Sequence, residues 1–476
     1  MNFIANAGYG YWNVAGGSLD LLGYTSIVHW GGGNACQYDA QGILDVTGGM
    51  VRNGAHAAAD NAVTGTKSCL MTTRAGAGWA AIRVAGSGKM ETSQGVPFYL
   101  GTGGNYCESH LILDGEEASV VLGSGVTFND GDKTRSFVDL YAGSLQGNLF
   151  QRAPNKPNSV SYLNFNGGSL RPSGWGNSLF GVAANDNALT RVTVYERGAV
   201  FDMYNHNNYV DIPIECPSGK GIVEAPVPEG LENETFIGPP MVHVKAIDGG
   251  DGATLWPEWD RATGKLTGIR VISPGNGYDN GATVVVRCGT KTWSAPAVVG
   301  KVPGGPLTVK GITSLELRAT NTWSGGTVIC DTASLVAWCD WAIPSNTVLT
   351  LNGGMLNLRN NKAIFAGVRG TGGEVKNGSI KISDVWKYDA ADFIAGMQTV
   401  VKGNIEFLPG SKIEIANPEL LLDRTEPAKR SVKFLTATSI SGTPEFVVPG
   451  SVPAWFKMDG NTLSFGVRKG FLMIFR

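Results

Sequence analysis

The chain has 476 residues, of which 67 are glycine, 42% are hydrophobic and only 16% are charged. A disordered chain combines low hydrophobicity with high charge, so this composition excludes disorder and assigns the glycines to turns. A net charge of −2 leaves no global field for nucleic acid or an anionic membrane, and no apolar run reaches the roughly 18 residues of a spanning helix.

In chain order, Met1 to Gly10 has neither the basic nor the apolar region of a signal peptide. Asn13-Val14-Ala15-Gly16-Gly17-Ser18-Leu19 already reads as a repeat in progress, so the expectation is a chain whose natural start lies further upstream. A recurring phrase follows: a short alternating strand, a Gly-Gly or Gly-Ser corner, and a second strand restarting on an apolar residue. It occurs at Leu44 to Val51, Leu140 to Leu145, Leu163 to Leu170 and Leu349 to Leu358, with looser copies around Gly86, Gly115, Gly198 and Gly403. Period-2 alternation gives each strand one inward and one outward face, and glycine supplies the positive φ of a tight corner. The steps from Gly115 to Gly143 and from Gly143 to Gly168 are about 25 to 28 residues, within the range of solenoid repeats.

These signals predict an all-β protein, a right-handed parallel β-helix, and they set aside a propeller, whose blades are longer, and a sandwich, which needs no repeated Gly-Gly corners. Irregular coils are expected over residues 1–225, with the Ala-rich stretch 55–62 as a surface loop or short helical turn. A Pro- and Glu-rich linker follows at 226–240, then an inserted small β module at 241–303 projecting from the stack. Regular coils run over 304–410, and closing coils with a cap over 411–476. The seven cysteines occur singly. Cys330 and Cys339 are a candidate disulfide, although two small residues filling the core is the preferred reading.

The phrase Asn321-Thr322-Trp323-Ser324-Gly325-Gly326-Thr327, after an alternating strand, is similar to the autotransporter-associated β-strand repeat. Arg369-Gly370-Thr371-Gly372-Gly373-Glu374-Val375-Lys376-Asn377-Gly378 resembles the same family's step into the next coil. Ile272 to Tyr278 looks like the Pro-Gly-x-Gly-Tyr module that accompanies such repeats, and residues 434–476 look like a passenger cap. The resemblance covers residues 240–476 and implies a secreted or cell-surface bacterial solenoid without a translocator barrel, acting in adhesion, display or spacing. The expected partner is a surface glycan or protein, and the expected state is monomeric. Trp323 is expected to cover a coil edge.

No convergent catalytic set is visible. Asp130 and Asp132, and Asp248 and Asp251, are candidate Ca²⁺ ligands beside glycine turns, but solvated turns are preferred because Asn-Asp-Gly is turn chemistry in its own right. The five histidines lack metal-binding spacing; His206, in Asn205-His206-Asn207-Asn208, is a candidate groove residue. Trp256 and Trp259 are the candidate exposed pair for stacking on a ligand. Two rival readings stand beside adhesion: a carbohydrate-active β-helix enzyme, a polysaccharide lyase or hydrolase, using Asp130 and Asp132, and a phage tail-fibre-like protein.

Overall fold

Strands that alternate inward apolar with outward polar residues, and that restart after a glycine corner, can bury their apolar face only by stacking on copies of themselves. The computed structural model describes residues 2–6, 8–21, 24–29, 40–54, 69–74, 78–102, 107–129, 131–395, 399–422, 431–450 and 452–468. Their strands wind as a parallel β-helix. Two compact units are present, one of Met1–Asp202 with Val210–Gly305 and the other of Met203–Tyr209 with Pro306–Arg476. The Ala-rich stretch 55–62 lies outside the described residues. Among the described residues no helix is long and apolar enough to cross a membrane.

Among the described residues of the first unit, six successive coils each give one strand to each of three parallel sheets, and the second sheet runs on for two further strands, Arg191–Val194 and Ile214–Glu215. One such coil is Phe98–Leu100, Glu108–Asp114 and Ser119–Val121; the next is Val126–Phe128, Arg135–Leu140 and Ser144–Gly147. The register stacks like on like. Leu44, Ile82, Leu111, Val138, Leu163 and Val192 are successive partners in the second sheet, all fully buried. Val51, Met90, Val120, Leu145, Leu170 and Phe201 do the same in the third. Such columns place the hydrophobic driving force along the axis, each coil covering its neighbour.

The corners explain the glycines. Gly143 has φ of +75°, and a Cβ on it would fall 2.4 Å from the Ala118 carbonyl oxygen and 2.6 Å from that of Gly115. Both the dihedral and the neighbouring backbone therefore demand glycine.

The inserted module is antiparallel. Lys220–Glu224 pairs with Val298–Lys301, so its strands begin ahead of the strandless, proline-punctuated stretch 226–240. Met241–Ala246, Ala282–Cys288 and Lys291–Pro296 form a three-stranded sheet, and Asp251–Asp260 with Lys265–Asn276 form a long hairpin. Val242, Leu255, Tyr278, Val284 and Val286 give the module its own core.

The expectation of a projecting module is corrected. It lies flat on the outer face of the second sheet, where Met241, Trp256 and Ile272 pack against Ile43, Trp79, Ala81 and Ile112. The reason is hydrophobic. Without that cover, the outward Trp79, Ile43 and Ile112 would form an exposed apolar patch.

The second unit is built from the regular phrase. Leu307, Thr327, Leu349, Val368, Trp386 and Ile413 form one inward column, and Leu315, Leu335, Leu356, Val375 and Val401 another. The stack ends where Thr462–Val467 runs antiparallel to Ser431–Ser441 and to Ala454–Asp459. A reversed hairpin carrying Lys457 and Asp459 blunts the edge that another parallel coil would otherwise extend.

Trp323 does not cover a coil edge: it is fully buried, and its Nε1 donates to Thr327 Oγ1 at 3.2 Å. An indole buried with its one donor satisfied is a core group. Cys107, Cys216, Cys288, Cys330 and Cys339 are free thiols, so the candidate Cys330–Cys339 disulfide is not formed. Cys330 sits in the strand Thr327–Cys330 paired with Asn352 and Gly353, which keeps it in the ladder.

Candidate functional site

Two places in the fold concentrate chemistry. The first is the outer face of the second sheet beneath the module. Alternation points Asp45, Arg83, Glu108, His110, Asp114, Arg135 and Asp139 outward, as it would on any solvated sheet face. Yet the strands Ala40–Val46 and Glu108–Asp114 are buried at every position, because the module seals this face. Charges removed from water must then be paired.

They are. Arg83 Nε donates to Asp114 Oδ2 at 2.9 Å, its Nη1 lies 3.5 Å from Asp45 Oδ1, and its guanidinium is 4.7 Å above the Trp256 ring. Arg135 bonds Glu108 Oε2 at 3.1 Å and reaches Asp251 of the module, while Arg270 of the module reaches Asp114. Asp251 also accepts from the Tyr162 hydroxyl. Asn164 Nδ2 donates to Asp139 Oδ1 at 2.8 Å and to the Gly252 carbonyl at 3.2 Å.

Between two acids sits His110, stacked 4.6 Å from Phe137 with its Nε2 3.1 Å from Glu108 Oε1. Its Nδ1 lies 4.0 Å from Asp139 Oδ2, beyond hydrogen-bond reach, so Asp139 acts on it as a charge. Burial opposes protonation of His110, but the two carboxylates outweigh it and raise the imidazole above its ordinary pKa. Burial likewise opposes ionisation of Glu108, and Arg135 with His110 reverses this, holding the carboxyl well below the usual range. Asp45 goes the other way, pushed up to about 6 chiefly by burial, with Arg83 opposing and Asp114 adding.

Asp45 yields a pH prediction. An acid whose folded pKa is raised above its unfolded value of about 3.9 contributes most below that value and loses the contribution as pH rises through about 6. Asp45→Asn is therefore expected to stabilise the first unit by about 2 kcal/mol at pH 7.5 and to do nothing at pH 4. Thermal melts of both proteins across pH 4 to 8 check it; a gap that does not grow with pH contradicts it.

At the open side of the same interface a cleft of about 880 Å³ is lined by Arg135, His243, Lys245, Asp251, Tyr278 and Arg287. Burial chiefly lowers the His243 pKa, so its imidazole is neutral near pH 7.

The residues singled out from sequence fall as follows. Asp130 lies outside the described residues. Asp132 accepts from Asn158 Nδ2 at 3.3 Å, and the exposed Asp248 from Asn280 Nδ2 at 3.5 Å. Asp251 is engaged by Arg135 and Tyr162, and its glycine neighbours Gly249, Gly250 and Gly252 all have positive φ, the turn chemistry expected of them. Among the described residues no three His, Cys, Asp or Glu side chains converge as a metal site.

The expected exposed pair is corrected. Trp256 is 2% exposed, packed on the apolar residues of the second sheet with Arg83 of that sheet against its ring, and the half-buried Trp259 meets the Tyr11 ring edge-on at 5.6 Å. His206 sits in a turn of the second unit that Asn207 stitches to Ser314, its Oδ1 accepting from the Ser314 amide at 2.9 Å and hydroxyl at 3.0 Å.

The second place is a corner of the second unit that sequence reasoning did not single out. Tyr209, Arg318, Trp338 and Arg359 alternate as ring and cation on successive coils. The Arg318 guanidinium is 3.5 Å from the Tyr209 ring and 5.1 Å from that of Trp338, and Arg359 is 3.5 Å from the same Trp338 ring. Beside this ladder Trp341 stands 40% exposed with φ of +63°, a left-handed conformation that a bulky residue adopts only when its surroundings impose it.

Asn321 of the repeat phrase imposes it. Its amide donates to the Trp341 carbonyl at 3.2 Å and its Nδ2 to the Ala342 carbonyl at 2.7 Å. The motif residue thus positions an aromatic ring one coil further on. The available sequence signal was the Trp-Cys-Asp-Trp pair of rings in one turn, 338–341, stacked on a second turn bearing Arg359 and Asn360.

None of the known protein families, curated sequences or solved structures compared with this chain matches it.

Proposed function

We propose that the protein is a non-catalytic binding solenoid of an extracellular or cell-surface setting, serving adhesion or display through the outer corner of its second unit. One observation carries the reading: the ladder of Tyr209, Arg318, Trp338 and Arg359 faces outward on consecutive coils, with Trp338 and Trp341 each 40% exposed. Exposed tryptophans stabilised in place on a rigid stack are suited to recognition rather than to folding. The dense ionisable layer of the first unit points the same way, since its acids are engaged with arginines beneath the module. The extracellular setting is supported by the resemblance of Asn321 to Thr327 to the autotransporter-associated repeat.

The test is an array of glycans and surface proteins probed with the full chain, followed by incubation of every bound polysaccharide with the protein. Retention without release of reducing ends or unsaturated products is expected. Turnover of a bound polysaccharide, or inertness toward the whole array, overturns the reading.

A further inference from the structure

We propose that the second unit carries a groove for an extended polysaccharide bearing carboxylates, with Trp341 as its stacking ring; this rests on the binding role above and names its ligand. The strands Lys362–Lys376, Ser379–Asp389, Thr399–Phe407 and Ser431–Ser441 present two outward columns. Lys362 pairs with Ser379, and Asn404 with Ser439, in one; Ile364 with Lys381, Lys381 with Glu406, and Glu406 with Ser441 in the other. The inward alternates Ala363, Ile380 and Ile405 are buried, which fixes these columns on the outer face.

Together they floor a groove of about 630 Å³ that Trp341 and Asn360 line at the end of the earlier coils. The end is fixed in place, since the Lys362 amide donates to Asp340 Oδ1 at 3.1 Å, tying the tryptophan turn to the first rung. Rungs repeat at ~4.8 Å, so the floor offers a hydroxyl, amide or ammonium group at each step, a spacing comparable to one sugar ring of an extended chain.

Three features select the ligand class. Trp341 has no ring partner among the described residues, whereas Trp338 is flanked by Arg318 and Arg359. A free indole face at the end of a groove lined by both apolar and polar groups is a platform for the C–H face of a pyranose. The side chains of Asn360 and Ser379 hold no hydrogen bond among the described residues, leaving them for sugar hydroxyls. Finally, the lining holds two lysines and one glutamate, and Glu406 is engaged by Lys381 at 2.8 Å, so Lys362 is left without an ion pair among the described residues. An uncompensated ammonium beside a stacking ring suits the carboxylate of a uronic acid.

The experiment titrates the full chain with hexagalacturonate and, as the neutral control, cellohexaose, following heat and tryptophan fluorescence. Saturable binding of hexagalacturonate and weaker binding of cellohexaose are expected. Trp341→Gly should weaken binding by about tenfold, while its melting temperature is unchanged or higher because glycine accepts the left-handed backbone. Trp341→Phe should retain most of the affinity. Lys362→Ala should weaken binding several-fold and flatten its dependence on salt. No saturable binding, equal affinity for both sugars, or unchanged affinity in both Trp341→Gly and Lys362→Ala overturns the proposal. If the chain still captures another glycan or a protein on the array, the binding role stands and only this groove is removed.

Discussion

Trp323→Ala is expected to destabilise the second unit by about 3–5 kcal/mol, the largest effect of any single substitution considered for this protein. The indole is fully buried, so truncation removes its transfer free energy and leaves a cavity that stacked strands on either side cannot close. It also strips Thr327 Oγ1, itself at a fully buried position, of the indole donor. Calorimetry of the variant should show a transition lowered by many degrees. The matched control is Trp175→Ala in the first unit, where the ring is 58% exposed and a shift within about 0.5 kcal/mol is expected. Equal, small effects at both positions would contradict the core assignment of Trp323.

The second large effect is at Arg135. Arg135→Met removes the guanidinium that serves both Glu108 and Asp251, leaving the buried Glu108 carboxylate without its arginine. Breaking one side of a buried pair costs about 3 kcal/mol, because the remaining charge stays desolvated. The sign with pH follows from Glu108. Its pKa is held low in the fold, so its contribution is present above the ordinary carboxylate range and is lost as pH falls through the folded value. Losing Arg135 lifts that value back, so the penalty is full near neutrality and shrinks in acid, where Glu108 protonates. The double variant Arg135→Met, Glu108→Gln is expected to recover most of the loss. A double variant as unstable as the sum of both singles would mean that the two residues do not act as a pair.

The coils were readable from residues because their cause is local. Gly143 needs a positive φ and has a neighbouring backbone where its Cβ would be, and Leu349 to Leu358 alternates because each inward side chain meets its counterpart on the next coil. The covered face was not readable, because its cause is remote. His110, Asp114 and Asp139 stand beside inward apolar residues as they would on a solvated face, and the groups that cover this face and pair its Asp114 and Arg135, namely Trp256, Arg270 and Asp251, lie more than a hundred residues further along. Dispersed histidines looked inert for the same reason.

Tryptophan was the hardest type to place. Trp256, Trp323 and Trp341 each have both polar and apolar neighbours in the sequence, which do not tell them apart. Their fates are set respectively by a docked sheet, a core position and a turn that Asn321 forces into the left-handed region.

The module lying across the second sheet also bears on how such a chain can change over generations. A solenoid ordinarily lengthens or shortens by duplicating or losing whole coils, since each contacts only its neighbours. Here the module grips the sheet at Tyr9 through the Pro239 carbonyl, at Asp114 through Arg270, and at Arg135 and Tyr162 through Asp251. Inserting or deleting one coil between those points would move every later contact a full rung out of step. The covered coils are therefore fixed in number, and variation by coil duplication is left to the stretch from Ser314 to Phe407, where no such brace spans the rungs among the described residues.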